Sequence, residues 1–396
     1  MTATTPPTPT SPRAWTMLAL GVGAQAAGTL VVTAPALLIP SLHADGTPLP
    51  VAGLLAAAPT FGMVLTLIAW GAITDRIGER VVIAGGLALT TIAAVGAWAA
   101  AGDPVLLGLA FLAGGMTSAS TNAASGRVVV GWFPKERRGL AMGIRQMSQP
   151  LGVTLAALTV PQLAEASSIR AALVLPVVLC AVLAACCAVG ITDPPRPACA
   201  AVATVPANPY RSDGFLWRVH AVSVLLVVPQ FTLSTYGLVW LVGLGWSTPA
   251  AGLLVGASQF VGAVGRILVG VWSDRVGSRV GPLRVVAVGA AAVMGLLALV
   301  DVTHLAAGAV FLVIATSVTV ADNGLAYTSV AEAAGPYWSG RALGAQNTGQ
   351  FIAASAVGPG VGALVTTVGF AASFGIVAVL PLLALPLVPR VDRSSD

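Results

Sequence analysis

Apolar runs of about 20 residues, each closed by a cluster of charges, Pro or Gly, recur along the whole chain. A helix of that length matches the hydrocarbon thickness of a bilayer. The pattern predicts twelve spans, near 15–40, 51–73, 81–101, 105–130, 139–163, 170–190, 216–243, 249–272, 282–300, 305–331, 341–366 and 369–389. The stretch 1–12 is rich in Thr and Pro without an apolar period and is expected to be a disordered tail, and 391–396 is expected to be a second tail. The apolar run after Arg13 is too long for a signal-peptide core and lacks a small-residue cleavage site, so it is kept as the first span.

Composition sharpens this picture. Hydrophobic residues make up 57% of the 396 positions and charged residues only 8%, against about a quarter in a soluble domain. A soluble enzyme is thereby excluded. The net charge of +5 acquires meaning only from where the charges lie. Arg13, Arg76, Arg80, Arg127, Lys135, Arg137, Arg138, Arg196, Arg211, Arg218, Arg275, Arg279, Arg284, Arg341, Arg390 and Arg393 fall on one side of the predicted membrane, Arg170 alone on the other. Cytoplasmic loops accumulate such residues, which puts both termini in the cytoplasm and the chain in the plasma or inner membrane, with no nucleic-acid partner.

The Pro-rich stretch 191–214 divides the spans into six and six, predicting bundles at 13–190 and 215–390. The halves repeat. Gly71-x-x-x-Asp75-Arg76-x-Gly78-x-Arg80 returns as Gly270-x-x-x-Asp274-Arg275-x-Gly277-x-Arg279, an offset of 199 (274 minus 75). Gly139-x-x-x-Gly143 returns as Gly340-x-x-x-Gly344, an offset of 201 (340 minus 139). Two matches at nearly one offset argue for duplicated six-helix halves, an all-α integral membrane fold of two pseudo-symmetric bundles.

With that doubled loop motif, the chain resembles the major facilitator superfamily over nearly its whole length. The resemblance implies a transporter, usually monomeric, and a role for the motif. The first-half Asp75 would approach predicted span 11 near Gly340, and Asp274 would approach span 5 near Gly139. Both would hold the cytoplasmic side closed in an outward-open state, with Arg76, Arg80, Arg138, Arg275 and Arg279 as further gating residues. Physically, an acid at these positions can accept hydrogen bonds from a helix N-terminus and meet its positive dipole end. Asp75 and Asp274 are expected to begin tight turns.

Ionisable groups inside a membrane are costly and therefore candidates for function: Arg145, Arg266 and Asp322. Arg145 has Gln146 and Gln149 nearby in span 5, and the equivalent part of span 11 carries Gln346, Asn347 and Gln350. Such a pair of symmetry-related helices suits a cavity at the repeat interface. Arg266, four residues before Gly270, is similar to the arginine that holds a carboxylate in monocarboxylate and oxalate/formate carriers, although the proline common after it in the eukaryotic group is absent. A guanidinium offers a planar fork for a carboxylate and keeps its charge. Arg266 and Asp322 are expected at similar depth, where they would form an ion pair. Substrate or proton competing for that pair would make Asp322 the coupling carboxylate.

Further cavity candidates are Gln25, Thr121, Asn122, Gln230, Tyr236 and Asn323, each of which could equally be an interhelical hydrogen bond. Arg127, near a cytoplasmic helix end, is expected to snorkel to the headgroups. Cys180, Cys186, Cys187 and Cys199 read as small apolar fillers, and His43, His220 and His304 as interface residues. No metal or cofactor is expected. The leading expectation is alternating-access transport of a small organic anion, a carboxylate, with a proton as a candidate coupling ion. The alternative is a proton-coupled drug or metabolite efflux pump. Such exporters usually carry an arginine ahead of Gly114-Gly115, and Leu109–Ala113 has none. A sensor or membrane enzyme would need a soluble domain or catalytic constellation, and neither is visible.

Overall fold

The computed structural model describes residues 11–194, 208–212, 214–303 and 307–393. The expected N-terminal tail up to Thr10, the middle of the Pro-rich linker with Arg196 and Cys199, His304 and the last three residues lie outside that set.

Among the described residues the chain is all α-helical: α1 (Pro12–Leu37), α2 (Ile39–Ala44), α3 (Leu49–Ile77), α4 (Glu79–Ala99), α5 (Pro104–Trp132), α6 (Arg138–Arg145), α7 (Ser148–Ala166), α8 (Ile169–Gly190), α9 (Phe215–Gly243), α10 (Thr248–Val276), α11 (Val280–Thr303), α12 (Gly308–Thr319), α13 (Asp322–Ala334) and α14 (Ser339–Ala384). Local chemistry sets several ends. The Asp103 carboxylate accepts from the amides of Val105 and Leu106, with Pro104 at the first helical position.

Among the described residues, ten helical stretches are long and apolar enough to cross a membrane. One of them runs from Ser339 to Leu387 and bends at Gly369, whose φ of 80° only glycine adopts readily. It holds two of the predicted spans, and the bend falls at the start of the second. The remaining span is α6 followed by α7. Counted so, the helices make the twelve-helix fold read from the sequence.

Three predicted spans are each two helices, and span 1 lapses at Leu38, between α1 and α2. Span 5 lapses at Gln146–Met147, where Pro150 has no N–H to give the Gln146 carbonyl. Span 10 lapses at Val320–Ala321. A further correction concerns Asp75 and Asp274. They sit in the last turns of α3 and α10, and the turns themselves fall at Gly78 (φ 101°) and Gly277 (φ 67°).

The chain forms two compact units. The first comprises 1–134, 147–206 and 336–347; the second comprises 135–146, 207–335 and 348–396. Each unit therefore includes a short piece of the other half of the sequence, and the chain passes from the second unit to the first between Gln146 and Met147. The first unit buries Leu30, Leu107, Phe111, Val160 and Leu173 in one cluster. The second buries Trp240 edge-on to Phe374, and the Trp240 Nε1 donates to Asp301 at 2.7 Å. Large apolar side chains such as Leu54, Phe61, Leu253 and Leu299 remain exposed, as lipid-facing positions require.

Candidate functional site

In the first unit Asp75 receives the N-terminus of α14. Its two oxygens accept the Gly340 amide at 2.8 Å and the Arg341 amide at 3.0 Å. The approach depends on Gly71 and Gly340, since a Cβ on either would collide with the other's backbone. Arg127 donates to Asp75 at 2.7 Å and to Glu79 at 2.8 Å, and Arg341 adds a third contact at 3.3 Å. The sequence places Arg127 at the headgroups. It is instead only 5% exposed, because two buried acids compensate its charge better than an interface would.

The second unit repeats the device with other residues. Asp274 accepts the Gly139 and Leu140 amides of α6, both at 2.9 Å, across a close approach of Gly139 and Gly270. Here the cation is Arg279, which reaches Asp274 at 2.5 Å, the Lys135 carbonyl at 2.7 Å and Glu332 at 3.4 Å. Arg138 joins Glu332 at 3.4 Å. Burial works hardest against the Arg279 charge, yet Glu332 and Asp274 together outweigh it and hold its pKa above the ordinary value. Its repeat partner Arg80 behaves differently, donating to the Ala188 carbonyl at 2.9 Å while remaining exposed. Arg76 and Arg275 are exposed as well.

Two acids that sequence reasoning missed complete these ends. Asp193 accepts the Arg80 amide at 2.9 Å, and Asp392 accepts the Arg279 and Val280 amides at 2.7 and 3.0 Å. They lie 199 positions apart (392 minus 193), the offset of the loop motif, and that repetition was the available signal.

The interior of the second unit holds Arg145, Arg266 and Asp322, the three ionisable groups that the sequence puts inside the membrane. Arg145 is 1% exposed, lies over the Tyr327 ring at 5.2 Å and donates to the Gln146 side chain at 3.0 Å. From Tyr327 a chain of hydrogen bonds ties three helices. Its hydroxyl donates to Gln350 at 2.8 Å, Gln350 donates to Ser223 at 2.7 Å and to Asn323 at 2.9 Å, and Asn323 donates to Gln230 at 2.8 Å. The same unit thus gathers Arg145, Arg266, Asp322, Asn323 and Gln350, as well as Gln230.

The expected ion pair between Arg266 and Asp322 is not closed. Arg266 Nε donates to the Val320 carbonyl at 3.2 Å and Nη1 to the Gln146 carbonyl at 3.1 Å. Both acceptors lie in the helix interruptions, and those carbonyls compete successfully for the guanidinium. Asp322 is 1% exposed and neither carboxyl oxygen has a hydrogen-bond partner among the described residues, although it lies in the field of Arg266. Tyr236 is also diverted: its hydroxyl donates to the Gly358 carbonyl, stapling α9 to α14.

The other candidates belong to the first unit. Gln25 accepts from Ser125 at 2.9 Å, and Asn347 donates to the Leu343 carbonyl at 2.9 Å. Thr121, Asn122 and Gln346 are buried there, and Gln149 is half-buried. Cys180 and Cys187 are buried fillers, whereas Cys186 is exposed. His43 bonds the Thr47 carbonyl at 3.1 Å, and His220 the Tyr210 hydroxyl at 2.9 Å.

Comparison with known proteins places this architecture. The sequence profile of the Major Facilitator Superfamily matches residues 16–359. Two proteins of Mycobacterium tuberculosis, the uncharacterized MFS-type transporters Rv2994 (strain H37Rv) and MT3072 (strain CDC 1551), are each 46% identical over 378 residues, covering 95% of this chain and 84% of theirs. Among solved structures, the transporter FucP in the outward conformation superposes with a TM-score of 0.74 at 16% identity, covering 94% of this chain and 97% of that one. The human organic anion transporter MFSD10 gives 0.71 at 18% identity, covering 96% and 100%. These two likenesses bear on the fold alone. The profile match and the mycobacterial relatives carry the family: the chain belongs to the Major Facilitator Superfamily, a multi-pass membrane transporter rather than an enzyme.

Proposed function

We propose that the protein is a secondary transporter of a small organic anion, a carboxylate, working by alternating access in the plasma or inner membrane with both termini cytoplasmic. One observation carries the reading. Among the described residues of the second unit, the buried Arg279 is paired with Asp274 and Glu332, whereas the buried guanidiniums Arg145 and Arg266 share one buried carboxylate, Asp322. An excess positive charge kept out of water is costly, and an anionic ligand offsets it. Arg145 is the arginine assigned to the carboxylate, its guanidinium already oriented by Tyr327 and Gln146. Asn323 and Gln350, in the same unit, supply polar specificity. One solved protein of like fold is named an organic anion transporter, which agrees with the reading without carrying it.

Asp322 is the candidate coupling carboxylate, a buried acid with no hydrogen bond to hold its charge. Asp75 and Asp274 are latches at the cytoplasmic ends. Opening there has to free the α14 N-terminus from α3 and the α6 N-terminus from α10. The six-plus-six division around 191–214 and a monomeric working state belong to the same proposal.

The test is a thermal-shift screen of the detergent-purified protein against mono- and dicarboxylates, amino acids, sugars and lipophilic cations. A ligand of the folded state raises apparent stability. The reading predicts stabilisation by a carboxylate that disappears in Arg145→Ala. Stabilisation by lipophilic cations alone would move the assignment to drug efflux.

A further inference from the structure

Arg266 occupies an unusual position. It is 5% exposed and spends two of its donors on backbone carbonyls, Gln146 at 3.1 Å and Val320 at 3.2 Å. Each carbonyl lies in an interruption, the first between α6 and α7 and the second between α12 and α13. Helix ends leave carbonyls without partners, and a cation there also meets the negative end of the helix dipole. At Gln146 the need is built into the sequence, because Pro150 occupies the position that would have donated. Gln146 is also the last residue of its segment in the second unit, with Met147 the first of the next segment in the other. Arg266 therefore holds the point where the chain changes unit.

Beside it stands Asp322, 1% exposed, with neither oxygen hydrogen-bonded among the described residues. The other ionisable groups near it are Arg266 from α10, Tyr327 from α13 itself and, across the Tyr327 ring, Arg145 from α6. The helices α9 and α11 also pack on α13, and their ionisable groups are engaged elsewhere. Arg218 donates to Leu387 and Pro386, His220 meets Tyr210, Tyr236 donates to Gly358, Arg284 donates to Pro389, and Asp301 accepts from Trp240.

We propose that Asp322 and the two interruption carbonyls compete for Arg266, making Arg266 a positioning residue and proton-controlled staple of the α6–α7 and α12–α13 breaks. With its carboxyl protonated, Asp322 makes no claim on the guanidinium, and both breaks are held. When the proton leaves to water, the carboxylate forms the stronger, charge-assisted bond and draws Arg266 off the carbonyls. The breaks at Gln146 and Val320 are then released together. This deepens the assignment of Asp322 as coupling carboxylate, since it gives the proton a mechanical consequence at the junction residue.

Hydrogen–deuterium exchange on the full-length, ligand-free protein in lipid nanodiscs tests it, read on peptides covering 143–151 and 318–325. After correction for intrinsic exchange, raising the pH from about 5.5 to about 8 should lower protection of both segments by about tenfold, the size expected for lost hydrogen bonds to a charged group. Asp322→Asn should stay protected at both pH values, and Arg266→Lys, which cannot span both carbonyls, should be unprotected at both. If Arg266→Lys does not fold, Pro150→Ala decides. The new amide satisfies Gln146, so 143–151 should lose its pH response while 318–325 keeps it. Equal wild-type protection at both pH values overturns the proposal, as does a wild-type pH response in Asp322→Asn. Because no substrate is used, either failure leaves the anion reading standing.

Discussion

The Nη1 of Arg266 donates at 3.1 Å to the carbonyl of Gln146, an acceptor that Pro150 leaves without its helical donor. The bond explains how an interrupted helix persists in a buried place: a side chain from α10 replaces the missing backbone donor. It also explains why Arg266 does not close on Asp322.

Pro150→Ala should consequently raise the apparent melting temperature of the detergent-purified protein. A restored amide contributes about 0.5–1.5 kcal/mol, and the substitution removes a helix-interrupting ring. A fall in melting temperature would argue that the interruption is set by something other than the missing donor.

Arg127 is the counter-charge of two buried acids, Asp75 and Glu79. Removing one partner of a buried pair costs about 3–5 kcal/mol, so Arg127→Ala should reduce folded yield or melting temperature sharply. Adding Glu79→Gln should recover part of the loss in a double-mutant cycle. Additive losses would place Arg127 outside this network.

Asp75 and Asp274 each accept two backbone amides at a helix N-terminus. Asp75→Asn keeps the shape and removes the charge, at an expected cost of about 1–2 kcal/mol. Hydrogen exchange at 339–342 should accelerate about tenfold in Asp75→Asn, and at 138–141 in Asp274→Asn. Unchanged exchange at both places would remove the latches.

The second latch should be insensitive to pH. Burial opposes the Arg279 charge most strongly, but Glu332 and Asp274 hold its pKa above the ordinary arginine value. A group whose folded pKa is raised contributes stability that is fully present below the unfolded pKa and is lost only as pH climbs through the folded one. Both lie above any working pH. Arg279→Gln should therefore lose the same melting temperature, relative to wild type, at about pH 6 and about pH 9. A loss confined to one of the two would contradict this account.

The sequence carried the helices, because span length is a local signal, and the duplicated halves, because the loop motif repeats at one offset; the helix each motif acid meets came from the family resemblance. It carried less of the interior. Arg127 sits near a helix end, where snorkelling is an adequate account until Glu79 is seen to fold back beside Asp75. Asp193 and Asp392 share the motif's offset, but a single repeated acid beside a linker does not stand out. Pro150 carries the signal of one interruption, which the reading of 139–163 as a single span passed over; nothing equivalent marks Val320. The diversion of Arg266 and Tyr236 onto backbone carbonyls depends on where two helices lapse or approach, which no pattern of side chains along one helix encodes.

The most direct test of the account is uptake of radiolabelled carboxylates, chosen from the thermal-shift screen, into proteoliposomes containing wild type, Arg145→Lys or Arg145→Gln. The account predicts saturable uptake by wild type, a KM raised by about tenfold or more in Arg145→Lys, where the planar fork is lost but the charge kept, and no uptake above empty liposomes in Arg145→Gln. Carboxylate uptake by Arg145→Gln at the wild-type rate would contradict it.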